Sequence, residues 1–477
     1  MRSPFSIRSR AASACLLALF SGCLLLAARL APAAAVTARA PRLVHVPASP
    51  GAAAAALQAA APGDTLRLAP GVHRGTLVVR VPVLLQGEPG AVLDGGGEGS
   101  VLRVGASGTV VEDLALRGSG RRVMTEDAAV QVLNVSGVTL RRLTVSDALY
   151  GVYAERAGEM RVEDCRLIGR VPPLKEDGEG NGIHLWYCEN PHLTRNTVSR
   201  FADGVYLSFV KRADVRENHL ETNGRFGLHT MYCQDNRLVA NHFDHNAAGC
   251  AIMFSNRLEV RGNDFFHNRG PRTYGLLLRD CSDGLFAGNR MVDNTVAMFM
   301  DNSNRNRIRG NLLQDNGWGI LMFSSCAGNE VAGNSFVNND YPVSLDMRRS
   351  DNRFDDGRSG NYWSENAPYD LDGDGASDVP FSPVTAFAFI SKRYPDLSIL
   401  VHSPAVAALA VAERVIPALR PSEIVDHFPR VTPAQVAGTG IALDRGGAPH
   451  ATWSAAVAFG LLAAFGVAGL AWTRGRA

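Results

Sequence analysis

Val215-Arg-Glu-Asn218-His-Leu-Glu-Thr-Asn223 is one copy of a pattern that recurs along this chain. An apolar residue stands three positions before an asparagine, another stands two positions after it, and a second asparagine follows five positions on. The leading asparagines are Asn196, Asn218, Asn241, Asn263, Asn289, Asn311 and Asn334, separated by 22, 23, 22, 26, 22 and 23 residues. The earlier apolar positions hold Leu193, Val215, Leu238, Val260, Phe286, Ile308 and Val331; the later ones hold Val198, Leu220, Phe243, Phe265, Met291, Leu313 and Phe336. Asn223, Asn246, Asn268, Asn294, Asn316 and Asn339 supply the second asparagine. A fixed period of this size marks a solenoid. Short apolar alternation between asparagine corners predicts an all-β fold, a right-handed parallel β-helix of roughly 22-residue coils. Asparagine tolerates the left-handed backbone region and bonds locally, which suits it to corners. Stacked copies about 4.8 Å apart can also bond from coil to coil. A leucine-rich repeat is disfavoured because leucine is not periodic here.

The pattern continues towards the N-terminus with Cys165, Leu143 and Leu114 in the asparagine column, and Asp64–Pro70, Leu77–Gln86 and Ala91–Gly95 read as strands and turns. Ala52–Ala61 reads as a short helix capping the open sheet edge, which would otherwise invite aggregation. The β-helix is thus expected over residues 41–365, followed by an Asp-rich loop and docking segment at 366–420 and a Pro- and Gly-rich tether at 421–451.

Residues 1–40 have the form of a secretory signal: Arg2, Arg8 and Arg10, an apolar run from Ala11, then Ala-Pro-Ala-Ala-Ala at 31–35. An uncleaved anchor is the alternative. Trp453 to Trp472 holds no charge and is long enough to span a bilayer, so 452–473 is expected to be a transmembrane helix. Arg474 and Arg476 flank it on the cytoplasmic side, which places the large domain in the periplasm, tied to the inner membrane. A net charge of +2 argues against a nucleic-acid partner.

Removing the signal leaves six cysteines. Cys188, Cys233 and Cys281 fall at one position in alternate coils, about 9.6 Å apart, beyond the roughly 7 Å reach of a disulfide. Cys250 falls inward. A disulfide framework is therefore not expected from these four; Cys165 and Cys326 stay open.

Registering the coils on their asparagines exposes one face. Its strands include Ile183-His-Leu-Trp186, Val205-Tyr-Leu-Ser208, Leu228-His-Thr-Met231 and Cys250-Ala-Ile-Met253. Side chains alternate along a strand, so first and third members fill the core and second and fourth point outward. Met298, Met300 and Met322 fall inward by the same register. Met231 and Met253 share one outward column on adjacent coils, and His229 lies two residues before Met231. Thioether beside imidazole is what reduced copper, Cu(I), prefers. The plainer reading is an apolar patch covered by the C-terminal segment or a partner. His184, Trp186 and Tyr206 flank the three candidate ligands and read as partner-binding residues.

The runs Asn181-Gly-Ile-His-Leu-Trp186, Asp203-Gly-Val-Tyr-Leu207, Arg225-Phe-Gly-Leu-His-Thr-Met-Tyr232, Ala248-Gly-Cys-Ala-Ile-Met-Phe-Ser255 and Gly275-Leu-Leu-Leu278 resemble the NosD family. The similarity covers most of 41–420, including Ser403-Pro-Ala. Cys233 departs from the serine expected after the tyrosine. The resemblance implies a periplasmic role in maturing nitrous oxide reductase, with no catalysis of its own. It further implies transient copper handling in company with an ABC transporter ATPase and permease, a copper chaperone and the apo-reductase. The rival from residue chemistry is a carbohydrate-active β-helix enzyme or a glycan-binding protein of the envelope. Such enzymes need a proton acceptor in a cationic groove, whereas this face offers Arg279 alone.

Asp370-Leu-Asp372-Gly-Asp374-Gly-Ala-Ser-Asp378 matches the first half of an EF-hand loop, with Phe381 where the closing glutamate would stand. Asp370, Asp372, Asp374 and Asp378 are thus candidate calcium ligands, an acidic turn being the alternative. Beyond them Phe387–Ile390, Leu397–Val401 and Ala405–Leu419 are apolar, with Glu413 and Arg414 on a polar side. This segment is expected to fold back on the β-helix or dock on a membrane partner.

Overall fold

A computed structural model describes residues 39–170, 180–346, 349–416, 419 and 421–437. The expected signal segment (apart from 39–40), the transmembrane helix and residues 438–451 lie outside them. Among the described residues no helix is long and apolar enough to cross a membrane.

From Leu43 to Trp363 the chain winds through three parallel sheets of 13, 12 and 13 strands. The coil around Asn218 shows how. Asp214–Arg216 lies in one short-strand sheet, His219–Glu221 in a second, and Phe226–Met231 in the long-strand sheet. Asn218 and Asn223 stand between the three strands. The register keeps their columns aligned: Val215 pairs with Leu238, Leu220 with Phe243, and Leu228 with Cys250. The apolar members named above are buried and fill the interior, Met298, Met300 and Met322 among them.

The asparagines do not themselves take the left-handed conformation. That falls to the residue before each, such as Glu217 (φ 54°), Ala240 (φ 54°) and Gly262 (φ 63°). The asparagine side chains turn inward and form a buried ladder. Asn218 Nδ2 donates to Asn241 Oδ1 at 2.9 Å, Asn241 to Asn263 at 3.0 Å, and Asn263 to Asn289 at 3.0 Å. The ladder ends on Asn361, which accepts from Asn334 at 2.9 Å. At its other end the Cys165 N–H donates to Asn196 Oδ1 at 3.0 Å. Each rung pairs buried donors with buried acceptors, the condition for polar groups in a core.

The cysteines at 165, 188, 233, 250, 281 and 326 are buried and free. Cys233 N–H donates to Ser255 Oγ at 3.0 Å, and Ser303 N–H to Cys326 Sγ at 3.4 Å. Cysteine and serine thus alternate in one inward column as small hydrogen-bonding groups. This explains how Cys233 can replace a serine.

Gly204, Gly227 and Gly249 open successive strands of the long-strand sheet. A Cβ on any of them would lie 2.6 Å from the carbonyl oxygen of the next coil's glycine. That close approach is the reason for the recurring glycine in the runs quoted above.

Both ends of the core are covered. The helix Ala52–Ala59 buries Ala53 and Leu57 against the first coil. At the other end the helix Ala386–Arg393 sets Phe387 and Ala388 against Tyr341. The helix Pro404–Val415 follows it, and Glu413 is buried there, accepting the Ala386 N–H at 3.0 Å, not on a polar face as its charge suggested. The start of the expected tether also differs. Residues 421–437 pack on the last coil, where Asp426 Oδ2 accepts from Asn361 N–H at 2.7 Å and Trp363 Nε1–H at 2.8 Å.

Candidate metal-handling face

The long-strand sheet presents the columns that the register predicts. His184 pairs with Tyr206, Tyr206 with His229 and His229 with Ala251; Trp186 pairs with Ser208, Ser208 with Met231 and Met231 with Met253. The inward neighbours Ile183, Leu185, Val205, Leu207, Leu228, Cys250 and Ile252 are buried. Thr230, the polar exception, lies 3.5 Å from Ser255 Oγ.

His229 is held from behind. Its Nδ1 lies 3.3 Å from Asp203 Oδ2, and Arg225 grips the same carboxylate through Nε at 2.8 Å and Nη2 at 2.6 Å. Burial pushes the Asp203 carboxyl up, but hydrogen bonds from His229 and Arg225 outweigh it and hold the group below the usual carboxylate range. The Asp203 carboxylate lies behind Nδ1 and orients the ring, with Nε2 on its far side. That Nε2 is buried and has no hydrogen-bond partner. A carboxylate behind one imidazole nitrogen and an unfilled position at the other is how metal-binding histidines are oriented.

The neighbours form an aromatic wall. His184 packs on Tyr206 at 4.7 Å between centroids, Tyr206 on His229 at 4.8 Å, and Phe226 on His229 at 4.8 Å. The Tyr206 hydroxyl lies 3.5 Å from Met231 Sδ. Tyr206 is therefore part of the setting of Met231, beyond the flanking role read for it. Burial pushes the His184 imidazole down to about 4, so it is neutral near pH 7. Met253 packs against Ala251 and Leu277 and is half-buried, as is Met231. The C-terminal helices lie over Trp318 and Tyr341, further along the same sheet.

A stack of exposed aromatics borders this face. Tyr187, Phe209, Tyr232 and Phe254 follow directly after Trp186, Ser208, Met231 and Met253. They stack at 4.6, 4.9 and 5.0 Å and remain exposed. All four sit at positive φ, between 49° and 56°. The signal was an aromatic residue one place past the outward column in four consecutive coils. Asp203 and Arg225 were equally visible but lie before the strand centres, where only the glycines drew attention.

The aspartate loop is brought together in part. Carboxylate oxygens of Asp370, Asp372 and Asp374 lie within 4.8 Å of one another. Asp378 is turned to another task, accepting the Leu371 N–H at 2.7 Å. The first three also cap loop amides: Gly373 N–H to Asp370 at 2.7 Å, and Ala376 N–H to Asp374 at 2.8 Å.

Residues 169–367 match a family model described as periplasmic copper-binding protein (NosD). The chain is 34% identical over 377 residues to the "Probable ABC transporter binding protein NosD" of Pseudomonas aeruginosa, covering 76% of this chain and 87% of that one. It is 28% identical over 383 residues to the protein of the same name from Stutzerimonas stutzeri, covering 76% and 86%. Among solved structures, the A-module of the Azotobacter vinelandii mannuronan C-5 epimerase AlgE4 aligns with a TM-score of 0.51 at 17% identity. That match covers 63% of this chain and 94% of that one, and is a likeness of fold alone. On the extent and identity of these matches, the chain belongs to the NosD family.

Proposed function

We propose that this protein is a periplasmic, non-catalytic copper carrier that serves the maturation of nitrous oxide reductase. The cargo is Cu(I), and the donors are His229, Met231 and Met253. The observation that carries this reading is the buried, unpartnered Nε2 of His229, backed by Asp203, on the outward face that also bears the two paired methionines. Soft sulfur with one imidazole suits cuprous copper over harder ions. A set of two or three donors leaves the ion free to move on. The family description and the relatives' names support copper and an ABC transporter as the cargo and the partner. A chaperone and the apo-reductase would then dock on the aromatic edge formed by His184, Trp186 and Tyr206 together with the exposed Tyr187–Phe254 stack, since aromatic residues anchor interfaces. In the same reading 452–473 anchors the protein to the inner membrane, and Asp370, Asp372 and Asp374 hold calcium.

The test is Met231→Leu/Met253→Leu, which nearly conserves volume and should leave folding intact. Copper transfer and active reductase should both fall. Normal maturation by this variant would make the methionines plain apolar surface. Lost partner binding with copper binding intact would make the face a docking surface and put the ion elsewhere.

A further inference from the structure

A second cluster lies on the other side of the Asn223 and Asn246 corners, in the short-strand sheet built from His219–Glu221, His242–Asp244 and Asp264–Phe266. Four histidines meet there on three coils. His219 and His242 are paired residues of adjacent strands with ring centroids 4.8 Å apart. His245 and His267 follow as the left-handed corner residues (φ 51° and 50°), with centroids 5.0 Å apart.

Asp244 is the centre of the group. Its Oδ1 lies 2.9 Å from His245 Nδ1 and 2.9 Å from His267 Nδ1, and its Oδ2 lies 4.0 Å from His242 Nε2. Several other aspartates of the solenoid are matched to an arginine of the neighbouring coil. Asp164 pairs with Arg195, Asp235 with Arg257, Asp264 with Arg290 and Asp283 with Arg305. Among the described residues Asp244 has only imidazoles in that role. Two buried imidazole nitrogens in the cluster, His219 Nε2 and His242 Nδ1, have no hydrogen-bond partner; a Glu221 carboxylate oxygen lies 3.5 Å from the first and an Asp264 carboxylate oxygen 3.8 Å from the second.

We infer that Asp244, His245 and His267 form a binding site for a divalent first-row transition ion, zinc or cupric copper. One donor atom from each of the three lies within 4.8 Å of the other two. Donors bound to a tetrahedral ion at about 2.0–2.2 Å stand roughly 3.4 Å apart, so the group needs only a small opening to admit one. Imidazole and carboxylate without sulfur select a borderline ion and disfavour Cu(I). His245, 60% exposed at the side chain, keeps the site open to solvent, while His242, 4% exposed, stands next to it as a third imidazole. The ion would tie the coil of Asp244 to that of His267. This site lies on a different sheet from His229, and its existence does not rest on the copper-carrier reading.

The experiment is calorimetric titration of the untagged full-length protein with zinc, and separately with cupric ion. Uptake of one ion of either kind is expected, with at least a tenfold loss of affinity in His245→Ala/His267→Ala and in Asp244→Asn. Circular dichroism and the urea midpoint check that the variants fold. Should the double variant not fold, His245→Gln, at the most exposed of the three ligands, serves in its place. Cobalt bound to the wild type should give a visible spectrum of nitrogen and oxygen ligation, which the variants lose. Unchanged affinity in folded variants, or wild-type protein that takes up neither ion, overturns the inference.

Discussion

Replacing Asn263 with alanine should cost this protein a large part of its stability. The side chain makes four hydrogen bonds. Its Nδ2 donates to the Leu238 carbonyl at 2.8 Å and to Asn289 Oδ1 at 3.0 Å, and its Oδ1 accepts from Asn241 N–H at 2.8 Å and Asn241 Nδ2 at 3.0 Å. Two partners keep a second bond: Asn241 Nδ2 to Val215, and Asn289 Oδ1 from the Asn263 backbone. The Leu238 carbonyl keeps its place in the strand ladder to the next coil, whereas the Asn241 N–H loses its bond in a fully buried corner. At roughly 1–3 kcal/mol for a buried group left unsatisfied, the loss is about 1–3 kcal/mol, and the cavity left by the side chain adds to it. Net stabilities of folded domains are about 5–15 kcal/mol, so this is a large share. Asn263→Asp keeps the acceptor but sets a buried carboxylate against Asn289 Oδ1 and the Leu238 carbonyl, and should cost at least as much. Urea unfolding followed by circular dichroism measures both. A loss below about 1 kcal/mol for either variant would refute the claim that the ladder holds the coils together, since water would then be replacing it.

Calcium should raise the melting temperature, because a ligand bound only by the folded state stabilises it; an equal rise in Asp372→Ala/Asp374→Ala would dismiss the loop as a site. Asp355 accepts from His427 N–H at 3.1 Å and lies 2.9 Å from His427 Nδ1. Burial pushes its carboxyl up, but those contacts outweigh it and hold it below the usual range. A depressed carboxylate contributes stability that is present above its unfolded value, near 3.9, and is lost as pH falls through the folded one. Urea midpoints of the wild type should therefore fall more steeply below about pH 4 than those of Asp355→Asn; parallel curves would remove the pair as a clamp on the C-terminal segment. Deleting residues 452–477 should release the protein from membranes with its circular dichroism unchanged, and membrane retention of that variant would count against the anchor.

The solenoid was legible because its two constraints are local and periodic. An inward asparagine every coil and an apolar residue on either side fix the register, and the register alone places His229, Met231 and Met253 on one face. The reason given for the asparagines was partly wrong: the left-handed strain sits one residue earlier, at Glu217 or Ala240, and the amides satisfy the core. Asp203 was missed because its role is to orient a side chain one coil away. The cluster around Asp244 was missed because two of its histidines sit at corners, outside the strand alternation. Residues 421–437 were read as tether from their Pro and Gly content. What holds them is Asp426 against Asn361 and Trp363, a contact spanning more than sixty residues that no local pattern announces.

In the proposed carrier the cargo binds through sulfur and imidazole on the long-strand face. Copper K-edge absorption of the full-length protein loaded with one equivalent of Cu(I) tests it most directly. The expected spectrum has a first shell of sulfur and nitrogen, with the sulfur lost in Met231→Leu/Met253→Leu. A shell of nitrogen and oxygen alone in the wild type, unchanged in that variant, would contradict it.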